Sequence, residues 1–257
     1  MAMWTPINRR RFGALAFEIV AVSFLAGCDR LSSSPWVSRV LGSGESLTRV
    51  VQSLLRPRRA MAQEFSEADR SSVFPTNGTT NPEDPEYQAH AQRGFADWRL
   101  EIGGLVERPA AFSLAELRLL PARTQITRHD CVEGWSAIAK WKGVKLSELL
   151  ARVGVRPDAR YVVFHCADPM NEDGTRYYES IDLEEARHEQ TILAYEINDR
   201  ALPVEYGAPL RLRVERQLGY KMAKFVMRLE LVSSFAALGD GRGGYWEDRG
   251  YEWYAGI

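Results

Sequence analysis

Apolar and polar residues alternate over 98–102, 210–214 and 225–232. A period of two sets one face of a strand against a core and the other toward water. Tyr161, Val162, Val163 and Phe164 form a continuous apolar run, the mark of a buried strand. Helical signals are fewer and shorter. Ser113 is a good N-cap with Glu116 three residues on, so a short helix opens over 113–120. A second runs over 147–153 and is closed by Gly154. Turn formers crowd the intervals, and Gly103 and Gly104 end the first strand. The pattern fits an α+β domain made mostly of mixed β-sheet.

The chain has 257 residues, 45% hydrophobic and 26% charged, enough for one good core and too few for two large domains. A formal net charge of −1 gives nucleic acid no electrostatic hold. Residues 1–28 read as an export signal: Arg9, Arg10 and Arg11 precede Phe12 and a short apolar run that ends in Leu25-Ala26-Gly27-Cys28. The arginine pair before Phe12 resembles a twin-arginine signal, which carries proteins already folded around a cofactor. The tetrapeptide is similar to a lipobox, so Cys28 is expected to be acylated, tying the protein to the periplasmic face of the inner membrane. Residues 29–72 lack sustained periodicity and read as a tether, 73–238 as the folded domain. Residues 239–257 carry Tyr245, Trp246, Tyr251, Trp253 and Tyr254, too aromatic to be left in water, so the tail is expected to fold back beside the pocket.

The chemistry gathers around Cys131, in Arg128-His129-Asp130-Cys131-Val132-Glu133-Gly134-Trp135-Ser136. With Trp141, Gly143 and Leu146 at the following offsets, this block resembles the metal-binding loop of the sulfite oxidase-like molybdopterin-dependent oxidoreductases. It is nearest to the branch of the periplasmic methionine-sulfoxide reductase catalytic subunits. A second block, from Leu202-Pro203 through Gly207-Ala208-Pro209-Leu210-Arg211 to Gly219-Tyr220-Lys221 and Lys224, is similar to the family's cofactor-binding segment.

The resemblance implies a molybdopterin cofactor whose molybdenum takes Cys131 as its protein ligand, soft thiolate on a sulfur-rich metal. Arg128 joins Cys131 as a catalytic candidate, and Arg128 with His129 is expected to lower the thiol pKa. Asn77, Thr80 and Asn81 fall on the family's first pterin-contacting loop. Cys166 falls where the nearest branch has a cofactor-touching threonine, and Tyr206 replaces an asparagine or histidine. Arg211, Lys221, Met222, Ala223 and Lys224 match the stretch that holds the phosphate end, where a planar fork and point charges suit an anion.

The expected reaction is oxygen-atom transfer on a small oxo-substrate, with sulfoxide-type reduction favoured over sulfite oxidation. No CxxCH haem site or iron–sulfur cysteine set occurs, so electrons are expected from an outside partner, a membrane cytochrome or quinone-linked subunit. The chain has no room for the dimerisation domain of the larger relatives, which makes a monomer the expectation. Two rival readings use the same residues. One is a zinc site from His129, Cys131, His165 and Cys166. The other is a Cys131–Cys166 disulfide in a cofactor-free binding lipoprotein.

Overall fold

A computed structural model describes residues 60–257. The expected signal, the acylated Cys28 and residues 29–59 of the tether lie outside them. Among the described residues, ten strands form two sheets of five. The first has the order β2 (Ala110–Ser113), β1 (Arg99–Gly104), β10 (Val226–Val232), β5 (Tyr161–Pro169), β6 (Arg176–Asp182). β1 and β10 pair in parallel and the rest antiparallel, so the sheet is mixed. The second runs β3 (Ala122–Asp130), β4 (Ser136–Lys145), β7 (Ile192–Ile197), β8 (Arg200–Ala201), with β9 (Arg211–Arg213) also on β7. Four short helices accompany them: α1 (Pro85–Gln92), α2 (Leu114–Arg118), α3 (Leu146–Val153) and α4 (Leu183–Ala186). The α+β, mixed-sheet class expected from the alternation is the class observed.

Local chemistry explains the elements. On β1, Leu100 and Ile102 are buried while Arg99 and Glu101 face water. At α2, Ser113 Oγ accepts from the Glu116 N–H and the Glu116 carboxylate accepts from the Ser113 N–H, a reciprocal cap worth about 1 kcal/mol. The helix stops at Arg118, two residues short of expectation, because Pro121 follows and bars further helix. On α3, Leu146, Leu149, Leu150 and Val153 share one face and are all buried, each worth about 1.5–3 kcal/mol. Gly154 then takes a φ of 70°, which a side chain would resist.

Three parts of the fold lay outside the sequence expectations. α1 begins with the Asp84 carboxylate accepting from Tyr87 N–H and with Pro85 in its first turn, a standard start signal for a helix. The Cys131 block is the tight connection of a long β3–β4 hairpin, neither strand of which is marked by clean alternation. Residues 60–72, placed with the tether on composition, lie along the second sheet: Phe65 N–H donates to Ile126 O at 2.9 Å and Ser71 N–H to Ile138 O at 3.0 Å. Backbone bonds, not apolar periodicity, hold that segment, so patterning does not reveal it. Close packing of β4 on β7 requires Gly143, since a Cβ there would run into the Leu193 backbone, and the pairing bulges at that point.

The last residues are tied down as well. Tyr245 N–H donates to Tyr178 O at 3.0 Å, Trp253 Nε1 to Ser180 Oγ at 2.8 Å, and Leu218 N–H to Ala255 O at 2.9 Å.

Candidate active site

The β3–β4 connection presents Cys131. Its N–H donates to Trp135 O at 2.9 Å, and Gly134, at a φ of 91°, donates back to Cys131 O at 3.0 Å. The thiol is only 7% exposed and lines a cavity of about 320 Å³. Five other segments supply its walls: Asn77 and Thr79 before α1, Asp168 and Met170 at the end of β5, Tyr177 on β6, Met222, Ala223 and Lys224 before β10, and Trp246 and Tyr251 from the tail.

The electrostatics differ from expectation at the thiol. Burial pushes the Cys131 thiol above its ordinary value, with a backbone bond from Glu133 and the charge of Arg211 pulling the other way. Arg128 does not supply that charge: its guanidinium is 55% exposed, pairs with Asp130 at 2.9 Å and is absent from the cavity wall. Nor does His129. It is fully buried, and burial followed by the charges of Arg211 and Arg213 holds its pKa well below the usual value. Arg213 Nη1 donates to His129 Nδ1 at 3.0 Å, which the neutral ring accepts.

Arg211 and Arg213 are both buried completely, although alternating arginines ordinarily make a solvated face. Arg213 is satisfied by Glu215 at 2.9 and 2.6 Å. Arg211 is not. Its Nη1 reaches Tyr206 O at 3.3 Å, while Nε and Nη2 have no partner among the described residues. Burial, then the charge of Arg213, lowers its pKa to about 9. A buried guanidinium with idle donors is costly unless an anion completes it. Lys224 lies near enough for Arg211's charge to add to burial in lowering its pKa to about 7. Its Nζ donates to the carbonyls of Asn77 at 2.7 Å, Thr79, and Glu205 at 3.2 Å, fastening the 77–79 loop to the segment before β10.

Other expected residues sit elsewhere. Thr80 and Asn81 are exposed and off the cavity wall, Asn81 Oδ1 accepting from Gln88 Nε2 at 2.8 Å. Cys166 packs in the main core, 2% exposed. Tyr206 donates its hydroxyl to Phe74 O at 2.8 Å. Lys221 is turned into the protein: its ammonium donates to Glu179 and, at 2.6 Å, to Glu247, with no exposure on any of the three side chains above 1%. Two carboxylates leave that ammonium no freedom to meet a phosphate. The rival readings also fall. Cys131 and Cys166 are both free thiols, and among the described residues no three His, Cys, Asp or Glu side chains gather as a metal cluster.

Asp168 was missed. It stands on the cavity wall with Oδ1 unpartnered among the described residues, and burial raises its pKa to about 6 against the pull of Lys224 and Thr79. A lone carboxylate after the apolar stretch of β5 was the available signal. A carboxyl whose folded pKa is raised contributes stability that is present below its unfolded pKa near 3.8 and lost as pH rises through about 6. Asp168→Asn should therefore remove about 3 kcal/mol of that loss from the cofactor-free protein. Urea unfolding at pH 4 and pH 7, variant against wild type, measures it; parallel pH profiles would refute the assignment.

A cavity lined by the Cys131 thiol, with the idle donors of a buried guanidinium behind it, suits an anionic cofactor carrying a thiolate-binding metal. The chain belongs to the family described as the oxidoreductase molybdopterin binding domain, which it matches over residues 87–236, and it is a molybdopterin-dependent oxidoreductase. It is 38% identical over 248 residues to the Azospira oryzae protein named as a protein-methionine-sulfoxide reductase subunit, YedZ1, spanning 96% of this chain and 87% of that one. It is 31% identical over 236 residues to the Xanthomonas campestris catalytic subunit MsrP, 88% of this chain and 70% of the relative. The Ralstonia nicotianae MsrP is 30% identical over 218 residues, 80% and 65% of the two chains. The idle donors of Arg211 and the unpartnered Oδ1 atoms of Asn77 and Asp168 fit a cofactor with a phosphate at one end and a polar ring system.

Proposed function

We propose that this enzyme reduces an organic sulfoxide by oxygen-atom transfer, R₂SO + 2H⁺ + 2e⁻ giving R₂S + H₂O. The observation that carries the reading is the cationic poverty of the cavity's outer part. Arg128 points into water against Asp130, Arg211 lies buried, and Lys224 is spent on three carbonyls. A neutral sulfoxide suits such a mouth, whereas sulfite would need fixed cations there. The names of the relatives, methionine-sulfoxide reductase subunits, support the same direction.

In this reading Cys131 gives up its proton to ligate the metal, Arg211 meets the cofactor's anionic end with its idle donors, and Lys224, its ammonium held by three carbonyls, fixes the 77–79 loop beside it. Asn77, Asp168, Met222 and Ala223 line its bed. When bound, molybdopterin supplies the two-electron exchange of an oxygen atom. The protein's part is to hold the thiolate on a rigid hairpin turn, to keep His129 neutral beneath it, and to exclude water from the deep cavity. Electrons come from an outside partner, a membrane cytochrome or quinone-linked subunit. No helix among the described residues is long and apolar enough to cross a membrane. The leader and Cys28 support an extracytoplasmic place of work, with a lipid on Cys28 keeping enzyme and partner close.

The test uses purified holoenzyme with a reduced viologen dye as artificial donor. Methionine sulfoxide or dimethyl sulfoxide should drive dye oxidation, and sulfite should not reduce an added acceptor. Sulfite turnover with inert sulfoxides would reverse the assignment.

A further inference from the structure

We propose that Trp246 and Tyr251, stacked on one another in the C-terminal segment, form the surface that seats the sulfur and methyl group of the substrate. This subsite selects an organic sulfoxide over a charged oxyanion, and it rests on the sulfoxide-reductase reading above. The two rings lie 5.3 Å apart at 28° and line the same cavity as Cys131. Tyr251 is 39% exposed and Val132, beside Cys131, is 47% exposed, so apolar groups meet water at the cavity's open end. Fixed aromatic faces favour a polarizable sulfur and its methyl substituents, and they offer a sulfonate-like anion nothing.

The wall is built to stay in place. Tyr245 meets Trp246 edge-on at 5.2 Å and 85°, and Tyr220 meets Tyr251 edge-on at 5.2 Å and 87°. Tyr251 N–H donates to Trp246 O at 3.0 Å. Glu247, the residue after Trp246, is buried on Lys221. A surface held this way loses little freedom when a small molecule settles on it.

The experiment compares holoenzymes carrying Trp246→Ala, Trp246→Phe and Tyr251→Ala. Binding of methionine sulfone, a non-reducible analogue, is read by calorimetry, alongside steady-state kinetics and molybdenum and pterin content. Each alanine variant should keep its cofactor, bind the sulfone about tenfold more weakly and raise KM by a similar factor with kcat little changed. Trp246→Phe should recover most of the affinity. Unchanged sulfone affinity and KM in Tyr251→Ala and Trp246→Ala, with cofactor intact, would overturn the subsite while leaving the reductase reading standing. Should Trp246→Ala fail to fold, Tyr251→Ala and Trp246→Phe decide on the same readings. A wild-type enzyme that neither binds the sulfone nor reduces any sulfoxide overturns both.

Discussion

Cys131→Ser should leave a folded protein with less than about a tenth of the wild-type molybdenum and oxygen-transfer activity at background. The substitution is nearly isosteric, and the turn that carries Cys131 is held by backbone bonds to Trp135 and from Gly134, which serine leaves alone. What changes is the donor: a hydroxyl replaces the one thiol among the described residues that reaches the cavity, Cys166 being sealed in the core. Arg211 and Lys224 remain, so pterin should be retained better than metal. Elemental analysis beside pterin fluorescence separates the two. Wild-type molybdenum in a stable Cys131→Ser protein would show that the ligand lies elsewhere.

Lys221→Met should lower stability by about 3–5 kcal/mol, the usual effect of removing one partner from a buried ion pair. In a domain of this size that corresponds to a melting temperature roughly 6–20 °C lower. The variant leaves Glu179 and Glu247 buried against each other with no cation between them. Glu179 already has its pKa raised well above the ordinary value by burial, with Lys221 opposing that rise. A raised folded pKa means stability that is present at low pH and lost as pH climbs, so the variant's deficit should shrink on acidification. Scanning calorimetry at two pH values reads this. A phosphate-binding lysine would behave differently: its loss would strip cofactor and leave the melting temperature of the cofactor-free protein unchanged.

Lys221 also illustrates how far local pattern carries. It stands at the family's offset within the 219–224 block, yet its ammonium is claimed by residues 42 and 26 positions away. Lys224, three residues on, does line the cavity, as do Met222 and Ala223. Spacing alone does not tell which of two lysines faces a ligand and which faces a buried carboxylate. The same holds for Thr79, which reaches the wall while Thr80 and Asn81 turn out. Asp168 and the pair Trp246–Tyr251 were legible as residue types, a lone acid behind an apolar run and an aromatic tail. The tail's return to the pocket follows from its aromatic content, whereas the convergence of Asp168 on Cys131 was not legible.

The sequence by itself determined what depends on neighbours along the chain. Alternation gave the strands of a mixed sheet, the Ser113–Glu116 cap and Gly154 bounded two helices, and the Cys131 and Arg211 blocks carried the family and its cofactor. Only the tertiary structure decided which charges are buried, which are paired and which are left idle. Burial and pairing are sums over strands and loops brought together from distant positions. Arg213 finds His129 across 84 residues, and Lys224 finds the 77–79 loop across 147. Desolvation, which sets the state of Cys131, Asp168 and Arg211 alike, exists only once that packing is complete.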